Sequence, residues 1–160
     1  MRLFNKKRNK NLIAAPQTGK VISVTETPDP VFSGKILGDG VAIVPQSNQV
    51  VSPVSGTVIQ ISDTYHALGI RSDDGLEILL HFGIDTVKLN GSGFTCYAVE
   101  GQHVQMGEKL MDMDCTYITA QGYNTTSFCI ITNLDVLETF SIQLGTAVMG
   151  ESPVILYCKK

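Results

Sequence analysis

The sequence predicts an all-β fold, a β-sandwich or partly open barrel with short helical turns. Short runs rich in β-branched residues recur between Gly, Pro, Asn and Asp residues, which is typical of strands joined by tight turns. No stretch of helical length keeps a 3.6-residue hydrophobic period. Two short segments are also repeated: PQTGKVI at 16–22 resembles PVSGTVI at 53–59, and 104–110 resembles 148–154. We therefore expect two similar halves, a duplicated sandwich.

Each predicted element is a short apolar run bounded by turn residues. The first strand precedes Pro28, the second lies between Gly40 and Pro45, and the later ones are bounded by Gly, Asp or Asn. Short helical turns are expected near Phe32–Leu37 and Leu134–Phe140. In chain order, the predicted strands are Lys20–Thr25, Val41–Val44, Gly56–Ile61, His66–Arg71, Leu76–Phe82 and Phe128–Thr132.

Composition indicates one folded domain preceded by a basic arm. The chain has 160 residues, of which 43% are hydrophobic and 17% charged, enough to bury a core. Residues 1–11 are expected to be a flexible basic arm and 12–160 the domain. The first ten residues carry five bases and no acid, whereas the rest has a net charge of −8. The acidic body argues against a nucleic-acid partner. The arm is expected to be a solubilising tail, with weak contact to an anionic membrane as the alternative.

The sequence favours a cytoplasmic protein. No apolar run is long enough to span a bilayer or to serve as a secretory signal. The four cysteines form no Cys-x-x-Cys pair, so we expect them to be reduced and mostly buried.

Two histidines flank a predicted hairpin turn at 72–75 (SDDG). If Asp73-Asp74 is the centre of the turn, His66 lies opposite His81, with Cβ atoms ~5 Å apart. If Asp74-Gly75 forms the loop, the two histidines are diagonal neighbours at ~7–8 Å. Both registers place them on one face of the sheet, whereas a three-residue loop would place them on opposite faces.

The alternation of the second hairpin strand indicates which face carries the histidines. Leu76, Ile78, Leu80 and Phe82 are expected to face the core. The histidine pair would then lie at the surface, bordered by apolar groups, as a protein docking site requires. The residues expected on this outer face are Glu77, Leu79 and His81, with His66, Leu68 and Ile70 on the partner strand.

A pair of facing imidazoles can perform nucleophilic chemistry. Because imidazole has a pKa of ~6.5, one ring can act as a neutral nucleophile while the other donates a hydrogen bond. A metal-dependent hydrolase is a rival, but it needs three protein ligands, and only His66 and His81 are evident. No role is assigned to His103.

The segment around His81 resembles the phosphorylation-site signature of the glucose-type IIA family of bacterial sugar phosphotransferase systems. Residues 75–87 (GLEILLHFGIDTV) show that pattern: Gly, two variable residues, three apolar residues, His, apolar, Gly, apolar, any, Thr, small apolar. Similar segments in the same order extend the resemblance from Ile13 to Leu156: DPVF at 29–32, LGDG at 37–40, TYHA at 64–67, EGQ at 100–102 and GESPVI at 150–155.

The resemblance implies a duplicated hybrid-motif β-sandwich with its active site in a shallow depression. His81 matches the histidine phosphorylated on its tele nitrogen, and His66 matches the one that orients the phosphoryl group. Thr64 matches a hydroxyl that hydrogen-bonds within the pair, and Asp29 and Asp85 match flanking carboxylates. An apolar rim for partner docking is expected to comprise Val31, Phe32, Leu68, Leu79 and Val87, with Ile36 beside them.

The implied function is that of a phosphocarrier. Its donor would be the carrier protein HPr and its acceptor the IIB domain of a sugar permease. The alternative is a mainly regulatory protein that senses sugar flux and binds transporters or kinases. The transfer is expected to require no cofactor, and a zinc ion held by His66, His81 and a partner's carboxylate is left open.

Overall fold

The computed structural model describes residues 11–160, which form short β-strands joined by tight turns. Two short α-helices, α1 (Pro30–Ser33) and α2 (Cys115–Ala120), interrupt the strands, with 3-10 turns at Val24–Glu26, Thr86–Leu89 and Leu134–Val136. The strands are β1 (Leu12–Ala14), β2 (Gly19–Ser23), β3 (Asp39–Pro45), β4 (Gln49–Val51), β5 (Gly56–Ile61), β6 (Ala67–Ser72), β7 (Glu77–His81), β8 (Phe94–Cys96), β9 (His103–Val104), β10 (Lys109–Met113), β11 (Ser127–Ile131), β12 (Leu137–Ile142), β13 (Gly145–Ala147) and β14 (Pro153–Lys159).

Three antiparallel sheets make up the sandwich. The largest has eight strands in the order β13-β2-β3-β11-β7-β6-β5-β9, and two three-stranded sheets have the orders β1-β14-β12 and β4-β10-β8. The main core is lined by the inward-facing residues of all three sheets, such as Ile43, Leu80 and Met111, which are fully buried. This layered antiparallel architecture confirms the predicted all-β sandwich.

The repeated segments correspond to two similar halves. Gly19 pairs with Pro45 where β2 meets β3, and Gly56 pairs with Ser72 in the same way where β5 meets β6. The halves also exchange equivalent hydrogen bonds: Ala14 N–H donates to the Pro53 carbonyl at 3.0 Å, and Val51 N–H donates to the Pro16 carbonyl at 2.9 Å. The eight-stranded sheet is therefore built from two equivalent four-stranded units that meet at β11 and β7.

A second, smaller apolar cluster lies on the outer face of the eight-stranded sheet. It is formed by buried side chains that belong to the central strands and to the segment covering them: Val24, Phe32, Ala42, Phe128 and Ile130. Leu79 packs against it from β7. Because α1 and the preceding 3-10 turn contribute to this cluster, part of the outer face is covered.

All six predicted strands are present. Gly56–Ile61 has the predicted ends, and the ends of the other five shift by one or two residues. The sequence patterns predicted neither helix α2 nor the grouping of strands into two separate three-stranded sheets, in which three of the six strands are only three residues long. All four cysteines are free, but the expectation that most are buried is wrong: Cys129 is buried, Cys158 is exposed and the other two are intermediate. Residues 1–10 of the predicted arm, which was expected to comprise 1–11, lie outside the described residues.

The predicted hairpin register is wrong by one residue. Ala67 pairs with His81 and Leu68 with Leu80, which leaves the three-residue loop 73–75. Gly75 has φ +97°, the left-handed conformation that such a loop needs. In consequence Leu68 and Ile70 point into the core with Leu80 and Ile78, and the residues beside His81 on the outer face are Ala67 and Gly69.

Candidate active site

His81 is the last residue of β7, and its side chain packs against two phenylalanine rings on the outer face of the sheet. Its ring centroid lies 5.0 Å from that of Phe32 and 6.2 Å from that of Phe128. Phe32 and Phe128 stack on each other at 4.0 Å, with only 12° between their planes. Phe128 is the cross-strand partner of His81 on β11, so the sheet itself fixes this contact. Sequence reasoning missed Phe128, because its partner is 47 residues away and no local pattern connects them.

The two ring nitrogens of His81 have different surroundings. Nδ1 is buried and has no hydrogen-bond partner within the described residues. The Gly83 backbone approaches the ring closely enough to raise the pKa of His81, although it does not meet the geometry of a full hydrogen bond to Nδ1. Because the side chain as a whole is only partly buried, Nε2 is the nitrogen available to an incoming group.

His66 lies beside His81, as expected, but a local backbone turn and not the hairpin register places it there. The two ring centroids are 5.2 Å apart and the planes are nearly perpendicular, at 84°. His66 precedes β6, and Tyr65 before it has φ +58°, so His66 does not follow the side-chain alternation of the strand. The three-residue loop would separate the histidines within a regular ladder, and this local turn brings them together.

Hydroxyl groups hold the far nitrogen of His66. Thr64 Oγ1 lies 2.6 Å from His66 Nδ1, and Ser62 Oγ lies 3.3 Å from the same atom. The contact confirms the predicted placement of Thr64 within the pair, whereas Ser62 was missed. With Nδ1 engaged, Nε2 is the nitrogen of His66 left for a group bound between the rings.

Burial and the neighbouring imidazole favour the neutral form of His81. Its pKa is lowered from 6.5 chiefly by burial and next by the nearby His66, while Gly83, Asp29 and Asp85 oppose this by raising it. Burial also lowers the pKa of His66. Both rings are therefore mostly neutral at pH 7, as a nucleophile must be.

The two predicted carboxylates flank the site. Asp29 is half-buried and caps α1, its Oδ1 accepting a hydrogen bond from Val31 N–H at 3.0 Å. Asp85 is exposed, with φ +61°, at the start of the turn that follows β7. Both carboxylates raise the pKa of His81, so both lie near its ring, and their role as the flanking carboxylates of the site stays a prediction.

The apolar rim is partly as predicted. Val31, Ile36 and Val87 are exposed, and Leu79 is partly exposed on the same face as His81. The assignment of Phe32 and Leu68 to an exposed rim is wrong. Phe32 is 4% exposed because it packs on Phe128, and Leu68 is 1% exposed because the actual register turns it into the core.

The histidine pair lies at the outer face of the eight-stranded sheet, where both side chains are partly exposed. Two surface clefts of about 990 and 630 Å³ occur elsewhere, and neither is lined by His66 or His81. Within residues 11–160 no three His, Cys, Asp or Glu side chains are grouped to hold a metal ion. No helix of that part of the chain is long and apolar enough to cross a membrane. The fold and the histidine pair define a small β-sandwich protein with a partly exposed site for nucleophilic chemistry.

Comparison with known proteins identifies the family. The model of the EIIA 1 family of the phosphoenolpyruvate-dependent sugar phosphotransferase system matches residues 11–137. The chain therefore belongs to this EIIA family and is a phosphocarrier component of a sugar phosphotransferase system. This assignment favours the carrier function over the mainly regulatory alternative.

Individual relatives are similar in sequence to this chain over nearly its whole length. It is 44% identical over 150 residues to the PTS system glucose-specific EIIA component of Bacillus anthracis, covering 93% of this chain and 91% of that one. Identity to the protein of the same name from Haemophilus influenzae is 40% over 162 residues, covering 99% and 97%. The solved structure of glucose permease IIA from Mycoplasma capricolum matches with a TM-score of 0.81 and 37% identity, covering 90% of this chain and 94% of that one.

Proposed function

We propose that His81 carries the phosphoryl group on Nε2. The observation that supports this most directly is the asymmetry of the ring, with Nδ1 buried and Nε2 accessible. In the transfer, the Nε2 lone pair forms a bond to phosphorus as the bond from phosphorus to the donor's imidazole nitrogen breaks. The electron pair of the broken bond returns to the donor nitrogen. Such a loose, in-line transfer depends mainly on positioning and on stabilisation of charge.

His66 and Thr64 orient and stabilise the transferred group. The Thr64 hydroxyl holds Nδ1 of His66, so the ring is fixed nearly perpendicular to that of His81, and its Nε2 is left to contact the transferred group. A proton on that nitrogen offsets the negative charge of the phosphoryl oxygens, which is a function of general acids and electrostatic donors.

HPr is the donor in this proposal, and the IIB domain of a sugar permease is the acceptor. Asp29 and Asp85 give the border of the site a negative charge that complements a basic donor surface. Val31, Ile36 and Val87 supply an exposed apolar surface for docking. The Staphylococcus saprophyticus protein named PTS system glucose-specific EIICBA component is 49% identical over 123 residues, which are 18% of its length. That composite name supports a IIB partner for this chain. We propose that the reaction takes place in the cytoplasm.

The transfer needs no cofactor in this proposal, since nucleophile and orienting group are both side chains. The histidine pair fits a zinc ion only if another protein supplies a further ligand. The two histidines offer two imidazole nitrogens, whereas zinc sites have at least three protein ligands. A partner's carboxylate would have to complete the set, and isothermal titration with zinc in the presence and absence of the partner tests this.

The deciding experiment is incubation with phosphorylated HPr followed by intact-mass measurement. The wild-type chain is expected to gain one phosphoryl group, which is lost in acid as histidine phosphates are, and His81→Ala to gain none. His103→Ala is the matched control, because His103 is exposed and pairs with Asp73 at 3.0 Å away from the site. Stoichiometric labelling of the His81 variant would refute the proposal.

A further inference from the structure

Thr86 is a fully buried polar residue in the turn that follows His81. Its hydroxyl donates a hydrogen bond to the Phe82 carbonyl at 2.5 Å. Its side chain also fills the space beside Gly83: a Cβ atom added to Gly83 would lie 2.5 Å from Thr86 Cγ2 and 3.3 Å from Thr86 Oγ1. Thr86 therefore contacts this turn at two points, through its hydroxyl and through its methyl group.

The turn needs such support because Asp85, which has a Cβ atom, adopts a positive φ. Gly83 has φ +83° and Asp85 has φ +61°, which is unfavourable for a residue with a Cβ atom. The same two residues act on His81, the first through its backbone and the second through its carboxylate. The conformation of this turn thus determines what surrounds the buried side of the His81 ring.

Phe82 connects Thr86 to both histidines. Its carbonyl is held by Thr86, and its N–H donates to the His66 carbonyl at 2.7 Å. It directly follows His81 in the chain. The carbonyl belongs to the 82–83 peptide and the N–H to the 81–82 peptide, so a change in φ or ψ of Phe82 would alter how the turn held by Thr86 joins the backbone beside both histidines.

We infer that Thr86 is a positioning residue whose hydroxyl holds the 82–86 turn so that Nδ1 of His81 stays inward, against Gly83, and Nε2 stays outward. The inference rests on the proposed function, in which Nε2 of His81 receives the phosphoryl group. It goes beyond that function by assigning the choice of ring nitrogen to a residue that does not touch the transferred group.

The test compares Thr86→Val, which keeps the shape and loses the hydroxyl, with Thr86→Ser, which keeps the hydroxyl and loses the methyl group. Long-range ¹H–¹⁵N NMR of the unphosphorylated proteins reports the tautomer of His81. The wild type and Thr86→Ser are expected to show mainly the tautomer with the proton on Nδ1. Thr86→Val is expected to show a mixture of tautomers and to accept phosphoryl groups from phospho-HPr about 10- to 100-fold more slowly, the scale of a small misplacement of the reacting atom.

Wild-type tautomer and rate in Thr86→Val would overturn the inference. If Thr86→Val does not fold, the result for Thr86→Ser decides alone. The wild-type His81 tautomer in Thr86→Ser supports the inference. A mixture of tautomers refutes it, because the hydroxyl would then not be enough to hold the ring orientation. The tautomer measurement needs no phosphorylation, so it remains informative if the function is wrong. Failure of the wild-type chain to be labelled on His81 would refute the proposed function itself.

Discussion

Replacing Phe32 with Ala should remove the ring that covers one side of His81. Phe32 is buried, stacks on Phe128 at 4.0 Å and lies 5.0 Å from the His81 ring. Deleting a buried Phe side chain costs about 3–5 kcal/mol of folding free energy in a large core. Because the cluster on the outer face contains only five buried residues, we expect the lower end, a loss of about 3 kcal/mol in the free energy of unfolding at pH 8.

The same substitution should raise the pKa of His81. Burial is the largest cause that lowers this pKa, so admitting water beside the ring moves it back towards 6.5. A lowered pKa means that the unfolded chain binds the proton more readily than the folded one. The folded state consequently loses stability as the pH falls from about 6.5 through the lowered pKa. In Phe32→Ala this acid-dependent loss of stability is smaller than in the wild type. The wild type and Phe32→Ala should therefore differ less in their free energy of unfolding at pH 5 than at pH 8.

Urea unfolding at both pH values and an NMR titration of His81 provide the measurements. Phe32→Leu is the first control: it retains most of the apolar volume and should lose about 1 kcal/mol. Ile36→Ala is the second, since Ile36 is 72% exposed on the same surface, and its effect should stay within about 0.5 kcal/mol. An unchanged His81 pKa in Phe32→Ala would show that this ring does not desolvate the imidazole. A stability loss equal to that of Ile36→Ala would contradict the buried position of Phe32.

Three further substitutions test other parts of the site. His66→Gln should still be phosphorylated by phospho-HPr but should pass the group to IIB on the order of 10²-fold more slowly; equal rates of onward transfer in rapid-quench measurements would disprove this division of labour. Leu68→Ala should lower the free energy of unfolding by about 2–5 kcal/mol with an unchanged Michaelis constant for phospho-HPr, whereas a docking residue would show the reverse. Asp85→Asn should lower the pKa of His81 further, because the carboxylate raises it; an NMR titration with no downward shift would exclude that influence.

The strands near the site could be predicted from local patterns, but the hairpin register could not. The turn sequence Asp73-Asp74-Gly75 is compatible with two- and three-residue loops, and the choice between them reverses the faces of one strand. The loop actually formed has Gly75 in the left-handed conformation, closed by its N–H bond to the Ser72 carbonyl at 2.9 Å. The prediction that the two histidines are neighbours is nevertheless correct. Tyr65 at φ +58° turns His66 out of the side-chain alternation, and this offsets the error in the register.

Burial around the site depended on contacts that are distant in sequence. Phe32 belongs to α1 and Phe128 to β11, and each is buried by the other. Nothing in the neighbourhood of Phe32 indicates that partner, so an apolar residue beside a predicted docking surface was assigned to the surface. The Thr64 contact was predicted through the family resemblance, and it is local in the structure because Thr64 and His66 are only two residues apart.

The duplicated fold explains why the site draws residues from both halves. Strand β3 of one half corresponds to β6 of the other, and β11 corresponds to β7. Gly40 on β3 pairs with Ile130, and Ala67 on β6 pairs with His81 in the same way. His81 and Ile130 therefore occupy equivalent positions in the two halves. The equivalent strands β7 and β11 are neighbours at the centre of the sheet, and this places Phe128 of one half against His81 of the other. One half supplies both histidines, while the other supplies Asp29, Phe32 and the sheet surface beneath the imidazole. Phe32 and Phe128 of that second half pack against the His81 ring, and burial is the largest cause that lowers the pKa of this histidine.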